Sequence, residues 1–393
     1  MSWNRWGLSR GARLASAVMG DPTELQPLPS GPVRCAQVVL PCADLSPTIT
    51  FFTQRLGFRV DAIFPADSPS VAELSGHGLS LRLQPGDTAQ AGRLRLLCAD
   101  PAAFGEGDTE LVAPNGTRVH LVPADPGVVL PPIAQSLVVN RAGEASSWGV
   151  GRAGMHYRDV IPGRQGGRFI GSHIRIPTGG PVPDYVHYHK VRFQMIYCYR
   201  GWVRLVYEDQ GEPFILNAGD CVLQPPEIRH RVLESGDGLE VIELGCPAEH
   251  ETLADHDIAL PTGRVLPERV FGGQRYVRHI AAEAAWHPWR HAGFEYRDTG
   301  IGAATEGLAA ARVARPVAGT ASTERYVHDA EFVFGFVLEG GVTLDCDGHA
   351  PFALVAGDTF VVPAGMPYRF VDCTADLELL DVTLPDVVPL AAP

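Results

Sequence analysis

The tripeptide Tyr157-Arg158-Asp159 recurs as Tyr296-Arg297-Asp298, 139 residues later. At the same offset His189 answers to His328 and Gly201 to Gly340. Ala218-Gly219-Asp220 returns as Ala356-Gly357-Asp358 with one residue fewer between, and Pro225 and His230 then map to Pro363 and Tyr368. Landmarks that keep one register over such a span mark an internal duplication, so both copies must satisfy one fold. Each copy reads as short extended runs cut by glycine and proline. The 43 glycines and 33 prolines among 393 residues carry the same message. They favour a mostly β chain, with each copy a small β-barrel or jelly roll.

The first copy holds the chemistry. His187-Tyr188-His189 sits on an extended run, so the two imidazoles point to one side. Gln194 follows, then Gly219-Asp220 and the segment Pro225-Pro226-Glu227-Ile228-Arg229-His230. Three converging neutral imidazoles suit a divalent transition metal. The spacing resembles the paired motifs of the cupin superfamily, with Gln194 where that pattern has a glutamate, and the double copy resembles a bicupin. The resemblance implies a metal set of His187, His189, Gln194 and His230. An amide in place of a carboxylate leaves the centre nearer +2. That favours anionic, chelating ligands and acidifies bound water further. In the second copy the same positions are Tyr326, His328, Val333 and Tyr368, and one histidine cannot hold a metal. The second barrel is expected to support the first.

Strand parity places further residues. Ile196 and Cys198 share the inward face of Gln194, while Tyr197 and Tyr199 face out. Tyr185 has the parity of His187 and is expected at the mouth of the pocket. Arg192 and Arg229 flank the motifs and could hold a substrate carboxylate. Glu243, on the strand expected over Leu239–Leu244, is the nearby carboxylate suited to general base work. The candidate catalytic residues are therefore Glu243, Arg192 and Tyr185.

Residues 33–125 form a separate block. A strand opens near Val33–Leu45. Ser46 can then cap a helix with Pro47 first and Gly57 last, burying Ile49, Phe52 and Leu56 on one face. Strands are expected at Phe58–Phe64, Ser70–Leu74 and Leu79–Leu83, and a last one after the Asn115-Gly116 turn. This order resembles the vicinal oxygen chelate (glyoxalase/bleomycin-resistance) fold, with a second half that looks short of a helix. The family's first and last metal ligands would fall on Gln37 and His120, with Arg82 and Arg93 near the others. Arginines suit a cation site poorly, so a structural or ligand-binding module is expected.

The remaining expectations concern class and context. Residues 1–32 read as a disordered tail without the apolar core of a secretory signal. A Pro-rich linker (Pro123 to Pro132) leads to cupin domains at 126–265 and 266–393. A net charge of −13 argues against nucleic-acid partners, and no apolar run reaches the roughly 20 residues of a membrane span. Eight scattered cysteines suit reduced thiols in the cytoplasm. A homodimer is expected, since cupin barrels commonly bury sheet faces or edges against a second copy. The resemblance implies a metal-dependent dioxygenase, most simply with Fe2+, acting on a small anionic metal-chelating substrate. The same ligand set is open to a Zn2+, Mn2+ or Ni2+ isomerase, lyase or hydrolase, and to a non-catalytic small-molecule-binding bicupin.

Overall fold

A computed structural model of the chain describes residues 35–143, 148–318 and 322–393. The expected tail over 1–32 lies outside the described residues. Two compact units part between Gly127 and Val128.

The smaller unit is built from two similar layers. Strand Val38–Pro41 leads into a helix over Leu45–Thr50 that continues as a π-turn over Phe51–Arg55. The helix starts one residue before the expected Ser46. Asp44 is the flanking residue, and it makes no side-chain cap. Phe52 and Leu56 are fully buried and Ile49 packs beside them, as the periodicity predicts. Strands Arg59–Phe64, Val71–Gly76 and Leu79–Gln84 follow. In the sheet the first strand lies parallel to the last, and the other two extend outward in turn. The second layer repeats this order with strand Arg93–Cys98, a helix over Pro101–Gly105, then strands Glu110–Val112 and Arg118–Pro123. Among the described residues, what it lacks is a strand, not the helix. The helix signal is Asp100, whose carboxylate accepts the Ala103 N–H at 2.9 Å, followed by Pro101. Of the positions singled out here, Gln37 bonds Ser80 at 3.3 Å and Arg82 pairs with Glu73 at 2.7 Å.

The larger unit contains both sequence copies as β-sandwich barrels. Each has one seven-stranded sheet and one smaller sheet. In the first copy the large sheet includes Ile170–Ile176, Leu239–Cys246, Phe193–Arg200 and Cys221–Leu223. The smaller one includes Phe214–Asn217, Trp202–Tyr207, His230–Ser235 and His187–His189. The barrels exchange strands. Val138–Asn140, which precedes the first copy, pairs with Thr359–Val361 of the second. Val277–His279, which follows the first copy's last strand, pairs with Cys221–Leu223 of the first.

The repeated motifs lock this exchange. Asp220 accepts the N–H of Ala281 at 2.8 Å, just beyond one exchanged strand. Asp358 accepts that of Ala142 at 2.7 Å, just beyond the other. Each aspartate also closes its own turn, on Asn217 and on Val355. The preceding Gly219 and Gly357 both stand at φ +92°, a conformation costly for any residue with a Cβ. Arg158 of the first Tyr-Arg-Asp motif donates to the Gly357 carbonyl at 2.7 Å.

One core joins the two barrels. Phe193, Met195 and Tyr197 face Phe332, Phe334 and Phe336, and Phe169 stacks on Phe332 with centroids 4.0 Å apart. The outward parity of Tyr197 and Tyr199 therefore leads into the partner barrel and not into water. Tyr199 meets Phe336 edge-on at 5.0 Å.

Candidate metal centre

His187 and His230 stand directly opposite each other on antiparallel strands, and His189 lies two residues on, on the same face. The three rings converge, with centroids 4.2 Å apart for His187 and His230, 5.3 Å for His187 and His189, and 5.4 Å for His189 and His230. Their ligand atoms lie within 4.8 Å of one another, and among the described residues they are the group of His, Cys, Asp or Glu side chains arranged to hold a metal ion.

Each ring is oriented through Nδ1, which meets a backbone carbonyl: Tyr185 at 2.8 Å for His187, Glu251 at 3.1 Å for His189, and Ile228 at 2.9 Å for His230. A carbonyl only accepts, so the proton sits on Nδ1 and the Nε2 lone pair is left for coordination. Burial keeps the rings neutral. His189 is pushed down to about 3 by burial first, then by His187 and His250. His230 lies well below its ordinary value because of burial and the two neighbouring imidazoles. His187 is lowered by burial and then by Arg152. Neutral, carbonyl-oriented imidazoles are the protonation state a divalent ion requires. On these grounds the residues fit a divalent transition metal.

Gln194 belongs to the facing sheet, opposite Gly245, and is buried. Its amide nitrogen donates to Glu243 Oε1 at 2.5 Å. Glu243 is the diagonal neighbour on the next strand, opposite Ile196. The amide thus faces a carboxylate that itself lines the cavity. That cavity, about 70 Å³, is bounded by the three histidines, Glu243, Arg152, Tyr157, Tyr207 and Gln224, and otherwise by aliphatic side chains.

Other candidates fall elsewhere. Arg192 does not line the cavity. It pairs with Glu331 of the second barrel at 2.9 Å, alongside Arg168 at 2.8 Å, because the turn carrying it faces the junction between copies. Arg229 is held by Asp255 at 3.0 Å and lies 4.0 Å over the Tyr188 ring. Tyr185 contributes its carbonyl to His187. Its half-buried ring lies 5.9 Å from that imidazole but is not part of the cavity wall. Cys198 is buried, and burial pushes its thiol up to about 12, as suits an inert filler.

Several residues in or behind the wall have no motif signal. The fully buried Asp184 carboxylate takes the Arg152 guanidinium, accepts the Val232 N–H at 2.9 Å and lies 3.6 Å from His187 Nδ1. Arg152 comes from a glycine-flanked turn ahead of the barrel, which no periodicity marks. Tyr207 stacks on His230 at 5.5 Å and accepts from Gln224 at 3.1 Å. Its inward direction could have been read from the alternation Val203, Leu205, Tyr207. His250 adds a fourth imidazole, 5.3 Å from His189.

Residues 172–243 and 314–383 each match the family described as Cupin domain. No curated protein matches the sequence. Solved structures that resemble the chain include a Bacillus subtilis oxalate decarboxylase studied for its Mn(II) centres. It has 16% identity and a TM-score of 0.49, over 68% of this chain and 81% of that one. Another is the formate complex of Lactobacillus farciminis oxalate decarboxylase, with 15% identity and a TM-score of 0.48, over 67% and 91%.

Proposed function

For a chain that carries two cupin domains, we propose that the first is a metal-dependent catalytic barrel and that its reaction is proton transfer on a small anionic substrate, of lyase or isomerase type. The observation that carries this reading is Glu243. It is a carboxylate in the wall of the histidine-lined cavity, held at one oxygen by the Gln194 amide. His187, His189 and His230 would hold a divalent ion, Mn2+ or Zn2+ as readily as Fe2+. Such an ion supplies Lewis acidity toward substrate oxygens. Without a carboxylate among the three histidines, its charge stays near +2 and draws an anion.

Glu243 acts as the base that takes a proton from the bound substrate and returns it. Gln194 fixes one carboxylate oxygen, so the other is the one that meets substrate. Arg152, neutralised in part by Asp184, adds positive potential at the cavity wall. The aliphatic walls exclude water and strengthen each of these interactions.

A dioxygenase reading is favoured by one feature, the set of three neutral imidazoles in a largely apolar cavity where O2 could reside. The two readings separate under argon in D2O, with a panel of short 2-oxo and 2-hydroxy acids and the metal-loaded chain. Proton transfer predicts metal-dependent loss of substrate C–H signals by NMR, abolished in Glu243→Gln. Turnover only after admission of O2 would reverse the order.

For the smaller unit, the strand–helix–three-strand order with its first strand parallel to the last supports a vicinal-oxygen-chelate-like module. We read it as structural or ligand-binding, since Arg82 is tied to Glu73.

A further inference from the structure

The register of the first barrel sorts its cavity wall into layers. Inward side chains alternate along a strand, so two residues advance the wall by about 6.6 Å. On Trp202–Tyr207, Tyr207 stands opposite His230, Leu205 opposite Val232, and Val203 beyond them opposite Ser235. On Leu239–Cys246, Glu243 is followed inward by Val241 and Leu239, which pair with Ile174 and Ile176. The histidines, Glu243, Tyr207 and Gln224 are thus gathered at one end. Tyr157 pairs with Ile174 beside Val241, and Arg152 is held by Asp184, which accepts the Val232 N–H opposite Leu205. Nine of the seventeen wall side chains are aliphatic or methionine, and the layers around Leu205 and Val241 and then Val203 and Leu239 hold no unpaired charge. Arg152 is already paired with Asp184, so it cannot neutralise a second negative group without giving up that partner.

We propose that the ligand of this barrel is a monoanionic 2-oxo or 2-hydroxy acid with a short aliphatic body, its head at the histidine centre and its body between the Leu205 and Val241 layers. The proposal rests on the metal-site reading above and narrows it to a substrate class. A dicarboxylate of the same length is disfavoured, because its second carboxylate would be buried among aliphatic side chains and beside an arginine already held by Asp184. A short aliphatic chain in the same place gains from leaving water.

The test is calorimetric titration of the full chain, both Mn2+-loaded and EDTA-treated, with 2-hydroxybutanoate, glycolate and malate, the dicarboxylate of the same length as the first. The expected ranking places 2-hydroxybutanoate at least about tenfold tighter than glycolate, and malate at least about 100-fold weaker than 2-hydroxybutanoate. In Val241→Thr, which keeps the shape but adds a hydroxyl, the advantage over glycolate should shrink. Malate binding as tightly as 2-hydroxybutanoate overturns the inference, as does failure of any monoanion to bind either form. Metal content is measured separately. A chain that takes up no metal refutes the metal site, while the ranking in the EDTA-treated form still decides the ligand class.

Discussion

The two barrels share a backbone and differ in what fills it. His187 pairs with His230 in one, and Tyr326 forms the corresponding bridge with Tyr368 in the other. Around that shared bridge the first copy keeps a cavity, whereas the second packs Trp289, Phe294, Phe360, Tyr368 and Phe370 into one cluster. Gly335 stands where the first copy has Ile196, and a Cβ there would fall 2.2 Å from the Phe360 ring. The second barrel fills the corresponding space with aromatic rings, and its glycine makes room for one of them.

The acid makes the contrast sharper. Glu243 opposite Ile196 corresponds to Asp381 opposite Gly335. Asp381 is consumed by Arg290, which forks onto both its oxygens at 2.6 and 2.5 Å. Among the described residues, Glu243 takes a neutral amide, that of Gln194. Duplicated walls thus hold one acid left available and one neutralised, and the loop before each barrel decides which. In the first copy the loop arginine, Arg152, goes to Asp184. In the second, Arg290 goes to the acid, and the adjacent His291 is buried against Tyr368 at 3.2 Å.

The largest effect should come from the imidazoles. His187→Ala or His230→Ala is expected to reduce bound metal from one per chain to near zero by elemental analysis, while His328→Ala leaves it unchanged. Stoichiometric metal in both first-copy variants would remove the asymmetry. Next, Glu243→Gln should lower turnover about 10²- to 10⁴-fold with metal retained. Its counterpart Asp381→Asn should act on stability instead. It strands a buried guanidinium and should cost about 3–5 kcal/mol in denaturant unfolding, with most of the loss recovered in Arg290→Met/Asp381→Leu. An Asp381→Asn chain of unchanged stability would mean that the second acid is not held as the structure places it.

Much of this contrast was legible in the sequence. The repeat register, the three histidines and the inward face shared by Gln194 and Ile196 follow from spacing and strand parity, both local properties. The helix face of Phe52 and Leu56 was equally plain. What spacing could not give was pairing between distant segments. Arg192 sits between two motifs and looks like a substrate clamp, yet its partner is Glu331 in the other copy. His291 matches no motif position and enters the second barrel from a loop. The strand exchange was hidden for the same reason, since Val138–Asn140 carries no mark of which sheet it joins. The helix at Pro101 was missed although its Asp-Pro start was present, because a single turn shows no periodicity.

Acid should weaken both barrels, and metal should divide them. His189, His230, His291 and His328 are all held below their ordinary values, with burial the first cause in each. The unfolded chain takes up protons below about pH 6.5, while folded His189 does not until about 3. The unfolded state therefore binds more protons in that window, and stability falls as pH drops through it. In EDTA, melting temperature should decline steadily from pH 7.5 to 5.5. With saturating Mn2+ the first barrel starts higher and loses the advantage as protons displace the ion, so the curves converge in acid. Parallel curves would place the metal away from the histidines.

The smallest effect tests the seam between the barrels. Glu331 receives Arg168 and Arg192 together, with all three side chains about a quarter exposed or less. Partial exposure screens such pairs, so Arg192→Met should cost about 1 kcal/mol or less, a shift of about 2 °C or so in a domain pair of this size. Glu331→Gln should cost somewhat more, because it leaves two guanidinium groups facing each other across the junction. Neither variant should alter ligand affinity in the first barrel, which sets them apart from a change at Arg152. If Arg192→Met weakened anion binding while Glu331→Gln did not, the arginine would be reaching the cavity and the division of labour between the barrels would have to be redrawn around it.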